Sequence, residues 1–361
     1  IFFVPLRGRE KNQDNNKTYT MGAVCLKFAV GLSLHDTSFV DALIKNKKHI
    51  YEVYFSWGGF PNGRSSLENG ERTLYERQNE QVSALKKLSC EGIALNILFN
   101  ANCYGRDSQS RSFFEKIGAV LDYISQNFNL SSVTTTSPLI AKFVKNNFSS
   151  LATRASVNME IGTIQGMDYL APYFDGYYMK REFNRDFDTI KKLKGWCDEN
   201  GKTLHILANS GCLNNCSAHI FHDNLVAHED EISKMDNCYK FSGICHEYLK
   251  NHEKRLSLVR DTNFIRPEDL HLYEPFFDSV KLATRVSDKP LHILESYINE
   301  KCTGNILEIL EPNHAGRIYP YVIDNQKLKN DYLYCSHDCQ KCSKCEENYK
   351  NALINLEEMY R

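Results

Sequence analysis

The chain has 361 residues, of which 42% are hydrophobic and 25% charged, and its formal net charge is −1. These values are typical of a globular protein with a sizeable core, and they exclude the strongly basic surface that binds long nucleic acids. No run reaches the roughly 18 apolar residues of a membrane-spanning helix, so the sequence predicts no membrane association.

Residues 1–24 precede the regular pattern and are expected to form a flexible extension. From Lys27 the chain alternates strand-like runs with helix-like segments, and it does so eight times. The predicted strands cover residues 27–34, 50–57, 93–100, 131–137, 152–159, 176–181, 203–210 and 279–285. Asp36 is the predicted N-cap of the first helix, Pro138 starts the fourth helix, and Gly201 is the C-cap of the sixth. More than fifty residues without a regular pattern separate the last two strands.

Eight strand–helix repeats predict an α/β fold, a (β/α)8 TIM-type barrel over residues 25–310. A cysteine-rich insertion follows its seventh strand, and residues 311–361 form a cysteine-rich C-terminal extension. An open doubly wound sheet is the alternative. It would require a glycine-rich phosphate-binding turn, and no such motif follows any strand.

Polar side chains occupy the predicted carboxyl ends of the strands, where barrels of this type place their active sites. We take Glu160, Lys180 and Arg285 as candidate catalytic residues, and Trp57, Asn100, Arg181 and Asn209 as candidate substrate-binding residues. Lys180, Arg181 and Arg285 are suited to hold a carboxylate or phosphate, because guanidinium groups bind such anions with two hydrogen bonds. Alternatively, Arg285 and Lys281 form salt bridges at the barrel rim.

The chain contains thirteen cysteines, nine of them after Cys197. Disulfide-stabilised secreted proteins are usually short and have evenly spread cysteines. The clustering here instead favours metal binding in the reducing cytoplasm, which is the predicted location.

The insertion after the seventh strand carries Cys212 and Cys216, three residues apart, and then Cys238 and Cys245. Sets of thiolates are typical ligands of zinc or of an iron–sulfur cluster. Zinc knuckles usually have a tighter spacing, so the three-residue spacing favours a cluster. The competing ligands in this segment are His219, His222 and His228. A histidine in a polar loop more often forms hydrogen bonds than binds a metal.

A second set comprises Cys335, Cys339, Cys342 and Cys345, which fall within eleven residues. Such spacing predicts a metal site. Its CxxxCxxC core also matches the radical S-adenosylmethionine signature, but that signature normally follows the first strand of a barrel. The C-terminal cysteines therefore indicate an auxiliary or structural site, which holds either an iron–sulfur cluster or zinc.

Three stretches resemble the U32 peptidase-like family over residues 27–310: NSGCLNNCSAHIFHDN, FIRPEDLHLYEPFFDSVKLATR and GNILEIL. The resemblance implies a barrel that holds a 4Fe–4S cluster on four cysteines. It carries over to Cys212 and Cys216, and less directly to Cys238 and Cys245, whose spacing departs from that of the best-known members. Despite the family's name, several members are oxygen-independent hydroxylases of tRNA, rRNA or a quinone precursor, with prephenate as the oxygen donor.

The sequence and the resemblance together predict an iron–sulfur hydroxylase or related transferase with one or two 4Fe–4S clusters. Its expected substrate is a small molecule or an RNA, and homo- or hetero-oligomers are compatible with the sequence. A peptidase is an alternative, although the chain contains neither a GxSxG nor an HExxH motif. A third hypothesis is a non-catalytic binding protein whose fold is stabilised by bound metals.

Overall fold

The computed structural model describes residues 26–36, 38–63, 73–333, 335 and 338–359. Eight parallel strands form a closed barrel in sequence order, with the eighth strand hydrogen-bonded to the first. The strands are β1 Lys27–Gly31, β2 Ile50–Ser56, β3 Leu95–Phe99, β4 Leu130–Thr135, β5 Ala152–Ala155, β6 Gly176–Tyr178, β7 Thr203–Leu207 and β8 Ser279–Leu282. The predicted (β/α)8 barrel is therefore confirmed.

Helices follow the strands as the alternating pattern predicts. They are α1 Phe39–Lys45, α2 Leu74–Cys90, α3 Arg111–Asn127, α4 Pro138–Asn147, α5 Ile164–Asp168 and α6 Phe187–Glu199. The insertion between β7 and β8 contains α7 His219–Ala227, α8 Glu229–Ser233, α9 Ile244–Tyr248 and α10 Ser257–Arg260, and α11 Pro290–Ile298 follows β8. Within the described part of the chain, no helix is both long and apolar enough to span a bilayer.

The predicted helix boundaries are correct in part. Pro138 is the first residue of α4, as expected. The C-cap of α6 is Asn200, one residue earlier than the predicted Gly201, which follows it with a φ of +64°. Asp36 is not the N-cap of α1, because the cap is Ser38. The Asp36 carboxylate accepts hydrogen bonds from the Ser38 main-chain N (2.9 Å) and Oγ (2.6 Å), so it fixes the turn before the helix.

Several observed strands end earlier than predicted. The seventh prediction extends to Ser210, whereas β7 ends at Leu207. Ala208, Asn209 and Ser210 are nevertheless buried, and the main chain of this segment is hydrogen-bonded to Lys281, Ile265 and Glu311. An apolar run alone does not distinguish a strand from a buried loop that continues it.

Four consecutive strands, β2 to β5, meet at a buried ion pair inside the barrel. Arg154 Nη1 lies 2.6 and 2.5 Å from the two carboxylate oxygens of Glu52. The same carboxylate accepts hydrogen bonds from Asn96 Nδ2 (2.7 Å) and Ser132 Oγ (3.2 Å). Burial alone would lower the pKa of Arg154, but the attraction of Glu52 outweighs it and raises that pKa. The pair is thus desolvated, but both carboxylate oxygens of Glu52 accept hydrogen bonds.

The C-terminal extension consists of α12 Ala315–Ile318, β9 Tyr321–Ile323, α13 Lys344–Ala352, β10 Leu353–Asn355 and α14 Leu356–Met359. Strands β9 and β10 pair antiparallel. Arg266, which lies before β8, donates a hydrogen bond to the Leu328 carbonyl oxygen (2.6 Å) and forms a buried ion pair with Asp269. Helix α13 packs on α10. The extension is therefore attached to the cysteine-rich insertion.

We expect Glu52→Ala to destabilise the protein by about 3–5 kcal/mol, because it leaves the Arg154 charge buried without its partner. Urea unfolding measures the change. The control is Asp198→Ala, which removes an exposed ion pair with Lys194 and should cost less than about 1 kcal/mol. Equal losses in the two variants would contradict a stabilising role for the interior pair.

Candidate functional site

A cavity of about 280 Å³ lies beyond the carboxyl ends of β5, β6 and β7. Its lining includes Glu160, Lys180, Arg181, Cys212, Cys216 and Cys245. Phe241, Ile244 and Tyr248 of the insertion contribute apolar side chains to its wall. We refer to this space as the cysteine cavity. It lies at the end of the barrel where the fold predicts an active site.

Three of the four insertion cysteines reach this cavity. Cys212 lies in the loop after β7, Cys216 lies before α7, and Cys245 is in α9. Cys238 is exposed and does not line the cavity. Within the described ranges, no three Cys, His, Asp or Glu side chains form a group ready to hold a metal ion. Cys212, Cys216 and Cys245 therefore line one cavity without forming a preformed metal site, and Cys238 lies outside this cavity.

Two residues of the C-terminal extension, His314 and Arg317, connect Gly211, which precedes Cys212, with Cys245. His314 Nε2 donates to the Gly211 carbonyl oxygen (2.9 Å), and His314 Nδ1 accepts a hydrogen bond from Arg317 Nη1 (2.7 Å). Arg317 Nη1 also donates to Cys245 Sγ (3.1 Å). Burial, with a smaller contribution from Arg317, lowers the pKa of His314 to about 4, so that the imidazole is neutral as these hydrogen bonds require. No local motif marks His314 or Arg317, and the sequence did not predict either.

His219 lies at the centre of a hydrogen-bonded network in the cysteine cavity. Its Nδ1 is 2.6 Å from Glu160 Oε1, and its Nε2 is 2.7 Å from Arg181 Nη2 and 3.3 Å from Asp223 Oδ2. Because a guanidinium can only donate, Nε2 is the acceptor and Nδ1 carries the ring proton. Both ring nitrogens are engaged, so His219 binds a metal only if this network breaks.

The predicted catalytic residues Glu160 and Lys180 lie together. Glu160 has a φ of +52°, an uncommon conformation for a residue other than glycine, at the end of a short turn after β5. Lys180 Nζ is 4.0 Å from Glu160 Oε2 and 3.7 Å from Glu182 Oε2. This arrangement places a carboxylate, an imidazole and an ammonium group beside the three thiols.

Arg285 and Asn100, by contrast, line a second and smaller cavity at the barrel mouth, together with Arg181. Arg285 Nη2 donates to Asn62 Oδ1 (3.1 Å). Asn100 Oδ1 accepts a hydrogen bond from the Gly63 main-chain N (3.2 Å). Of the predicted site residues, Arg181 alone lines both cavities in the part of the chain that the structure describes.

Asn209 and Trp57 contact other parts of the protein. Asn209 Nδ2 donates to the carbonyl oxygens of Ala283 (3.0 Å) and Ile309 (2.9 Å), and its Oδ1 accepts from the Ala283 main-chain N (2.7 Å). Asn209 therefore connects the ends of β7 and β8. The Trp57 ring packs 5.8 Å from that of Tyr123 in α3. Neither side chain is among the described residues lining the two cavities, and their role in substrate binding stays a prediction.

The C-terminal cysteines gather beside α10. Burial raises the pKa of Cys345 to about 11; Arg185 opposes this shift, whereas Cys335, Cys339 and Cys342 add to it. Cys339 in turn interacts electrostatically with Arg260 and Asp261, at the end of α10. Asp261 also lines the cysteine cavity, so the second cysteine set lies close behind one of its walls.

No family model matches this chain. The curated "Uncharacterized protease MJ1657" of Methanocaldococcus jannaschii is 27% identical over 330 residues, which cover 86% of this chain and 90% of that protein. The solved structure of the U32 peptidase Mk0906 superposes with a TM-score of 0.51 and 12% identity, over 77% of this chain and 95% of the other. The second comparison shows a shared barrel fold.

We expect the stability of the protein to fall as the pH decreases from 7 to 4.5, in part because of His314. Its unfolded form binds a proton near pH 6.5, whereas the folded form resists protonation down to about pH 4. The unfolded state therefore binds more protons in this window, which favours unfolding as the pH falls. In His314→Gln the fall should be smaller by about 2 kcal/mol.

Urea unfolding at several pH values measures this difference, with the exposed His35→Gln variant as the control. An unchanged pH dependence in His314→Gln would contradict a buried, neutral His314.

Proposed function

We propose that this chain is a U32 peptidase-like protein and an iron–sulfur enzyme that transfers a hydroxyl or a related group without molecular oxygen. Its similarity to the M. jannaschii protein and the barrel fold that it shares with the U32 peptidase Mk0906 support this proposal. Its substrate is a small molecule or, as a second class, a nucleotide of an RNA. The observation that carries this proposal is the position of Cys212, Cys216 and Cys245 on one cavity, beside Glu160 and Lys180. The net charge of −1 favours the small molecule.

Cys212, Cys216 and Cys245 would hold a 4Fe–4S cluster, and Cys238 completes the set that the family resemblance implies. Thiolates are the usual ligands of such clusters, so the chemistry of this donor set fits the group. The bound cluster would supply iron able to act as a Lewis acid or redox centre at the cavity wall. The hydrogen bond from Arg317 to Cys245 Sγ would stabilise a ligating thiolate.

The neighbouring side chains would bind the substrate and move a proton. Lys180 and Arg181 present positive charge to an anionic or strongly polar substrate. The proton on His219 Nδ1 is directed at Glu160 Oε1 across 2.6 Å, so this pair is placed to exchange a proton with a bound ligand through the carboxylate. Phe241 and Ile244 line the cavity with apolar surface and reduce the access of water.

We further propose that the C-terminal cysteines form an auxiliary site, which holds an iron–sulfur cluster or zinc. Cys345 interacts electrostatically with the other three thiols, and Cys339 also interacts with Cys335 and Cys342. Because α13 packs on α10 and Asp261 lines the cysteine cavity, a metal here would stabilise one wall of that cavity.

A thiol peptidase is the second candidate, because the His219–Glu160 hydrogen bond lies beside cysteines and the similar M. jannaschii protein is named a protease. A thiol nucleophile needs a histidine nitrogen that can accept its proton. In this structure His219 Nε2 already accepts a hydrogen bond from Arg181. This hydrogen bond makes the peptidase the less favoured of the two candidate functions.

We expect the anaerobically purified and reconstituted protein to contain about four iron and four sulfide per cluster, with the broad absorbance of an iron–sulfur centre. Replacing Cys212, Cys216 or Cys245 by Ala should remove one cluster, because each substitution removes a ligand. Metal and sulfide analysis measures the loss, and EPR of the reduced protein identifies the cluster. The control is Cys90→Ala, which changes an exposed cysteine at the end of α2.

A colourless protein with stoichiometric zinc at these cysteines would contradict the proposal. Hydrolysis of a fluorescent peptide by the metal-free protein, lost in Cys212→Ala or Cys216→Ala, would instead support the peptidase. The Cys238→Ala variant tests the fourth ligand, since retention of the full iron content would exclude it from the set.

A further inference from the structure

We propose that the second cavity, at the barrel mouth, binds a carboxylate or phosphate group of the substrate. This inference rests on the proposed function, which it extends by naming the substrate class. The cavity has a volume of about 60 Å³, enough for a small anionic group but not for a whole substrate. Its lining comes from β2, β3, β7 and β8 and from the loops after β5 and β6, so it lies over the centre of the barrel.

Positive charge predominates among the described residues that line this barrel-mouth cavity. Arg181, Lys281 and Arg285 contribute three cations, and Glu311 contributes one carboxylate. Arg181 and Lys281 are only 5% and 7% exposed. Like charges brought together in a cleft with low-dielectric walls produce a strong local potential. An anion is therefore the ligand that this cavity favours.

Two aromatic rings position the Lys281 ammonium group at the floor of the cavity. Its Nζ lies 4.1 Å from the ring centroid of Tyr54 and 4.8 Å from that of Tyr178. Tyr54 is fixed in turn, because its hydroxyl donates to the Leu282 carbonyl oxygen (2.8 Å). A Cβ at Gly31 would come within 2.8 Å of the Tyr54 ring, so a glycine permits this placement. The cation–π contacts orient the ammonium group before a ligand arrives.

Arg285, Asn100 and Asn158 also line the barrel-mouth cavity. The hydrogen bond from Arg285 Nη2 to Asn62 Oδ1 orients the guanidinium. Asn158 Nδ2 donates to the Asn100 carbonyl oxygen (3.1 Å), which joins the loops after β3 and β5. A guanidinium fork matches the paired oxygens of a carboxylate or phosphate, whereas an ammonium group acts as a point charge beside it.

Arg181 connects the two cavities. It lines both of them, and its Nη2 contacts His219 Nε2 in the cysteine cavity. A substrate with its anionic group at the barrel mouth would therefore extend past Arg181 toward Cys212, Cys216 and Cys245. The substrate class that fits is a molecule that carries a carboxylate or phosphate some distance from the group that reacts.

Isothermal titration of the anaerobically purified full chain with inorganic phosphate, and separately with acetate, tests this inference. We expect saturable binding of one anion per chain, and the tighter of the two identifies the preferred group. Lys281→Met and Arg285→Gln should each weaken binding about 10-fold or more, because each removes a charge-assisted contact. Arg285→Lys, which keeps the charge, should lose less than Arg285→Gln.

The controls are Lys289→Met and Arg106→Gln, which remove exposed cations outside the cavity and should change binding less than about 2-fold. Circular dichroism of each variant verifies the fold, and the partly exposed Arg285 provides the test if Lys281→Met does not fold. Absence of saturable binding, or binding that the Arg285 variants leave unchanged, would overturn the inference.

Iron is quantified in the same samples, so that two different failures can be told apart. Anion binding without iron would count against the proposed iron–sulfur enzyme and support the pocket. Iron at the cysteines without anion binding would count against the pocket alone.

Discussion

The position of Cys212 depends on the main-chain hydrogen bonds that hold the chain just after β7. The Glu311 main-chain N donates to the Asn209 carbonyl oxygen (2.9 Å), and the Gly211 main-chain N donates to the Glu311 carbonyl oxygen (2.8 Å). A Cβ at Gly211 would lie 2.4 Å from the Pro312 carbonyl oxygen, so this close approach requires glycine. A segment that follows the barrel thus sets the direction of the chain at the point where it enters the insertion.

The same dependence extends to the other side of the cysteine cavity. His314 and Arg317 connect Gly211 with Cys245, so the extension contacts both the start and the middle of the insertion. The insertion is also attached to the barrel through α7, because His219 contacts Glu160 and Arg181 and Asp223 accepts a hydrogen bond from Asn102 Nδ2 (3.0 Å). The extension and the barrel therefore form one site, although the sequence divides them at residue 310. Arg181 lines both this site and the barrel-mouth cavity, so the proposed anion site and the cysteines lie on either side of one side chain.

The parts of the structure that were predictable from the sequence are those with a local signal. Strand periodicity, the proline of α4 and the cysteine spacings depend on neighbouring residues, and they indicated the barrel and the cysteine-rich insertion correctly. Glu160 and Lys180 were predicted to lie at the barrel mouth because each follows a strand, and both line the cysteine cavity, whereas their catalytic role stays a prediction. Asp36 was misplaced as an N-cap because an aspartate that fixes a turn and one that caps a helix look alike in sequence.

What the sequence missed depends on contacts between distant residues. Glu52 and Arg154 are 102 residues apart, and His314 and Gly211 are 103 apart, so no periodicity relates them. The sequence indicates that His219 forms hydrogen bonds, but it does not show with which residues. Its partners Glu160 and Arg181 follow two other strands, and only the closed barrel brings all three together. Lys281 was considered a rim residue, whereas its ammonium group is buried between two tyrosine rings.

The central claim is that an iron–sulfur cluster lies on the wall of the cysteine cavity. Anomalous diffraction at the iron absorption edge, from crystals grown under anaerobic conditions, tests it most directly. The account predicts a strong iron peak at bonding distance from the Sγ atoms of Cys212, Cys216 and Cys245, next to Arg181. Crystals that contain iron only at the C-terminal cysteines, or a zinc signal in place of iron at the cavity, would contradict it.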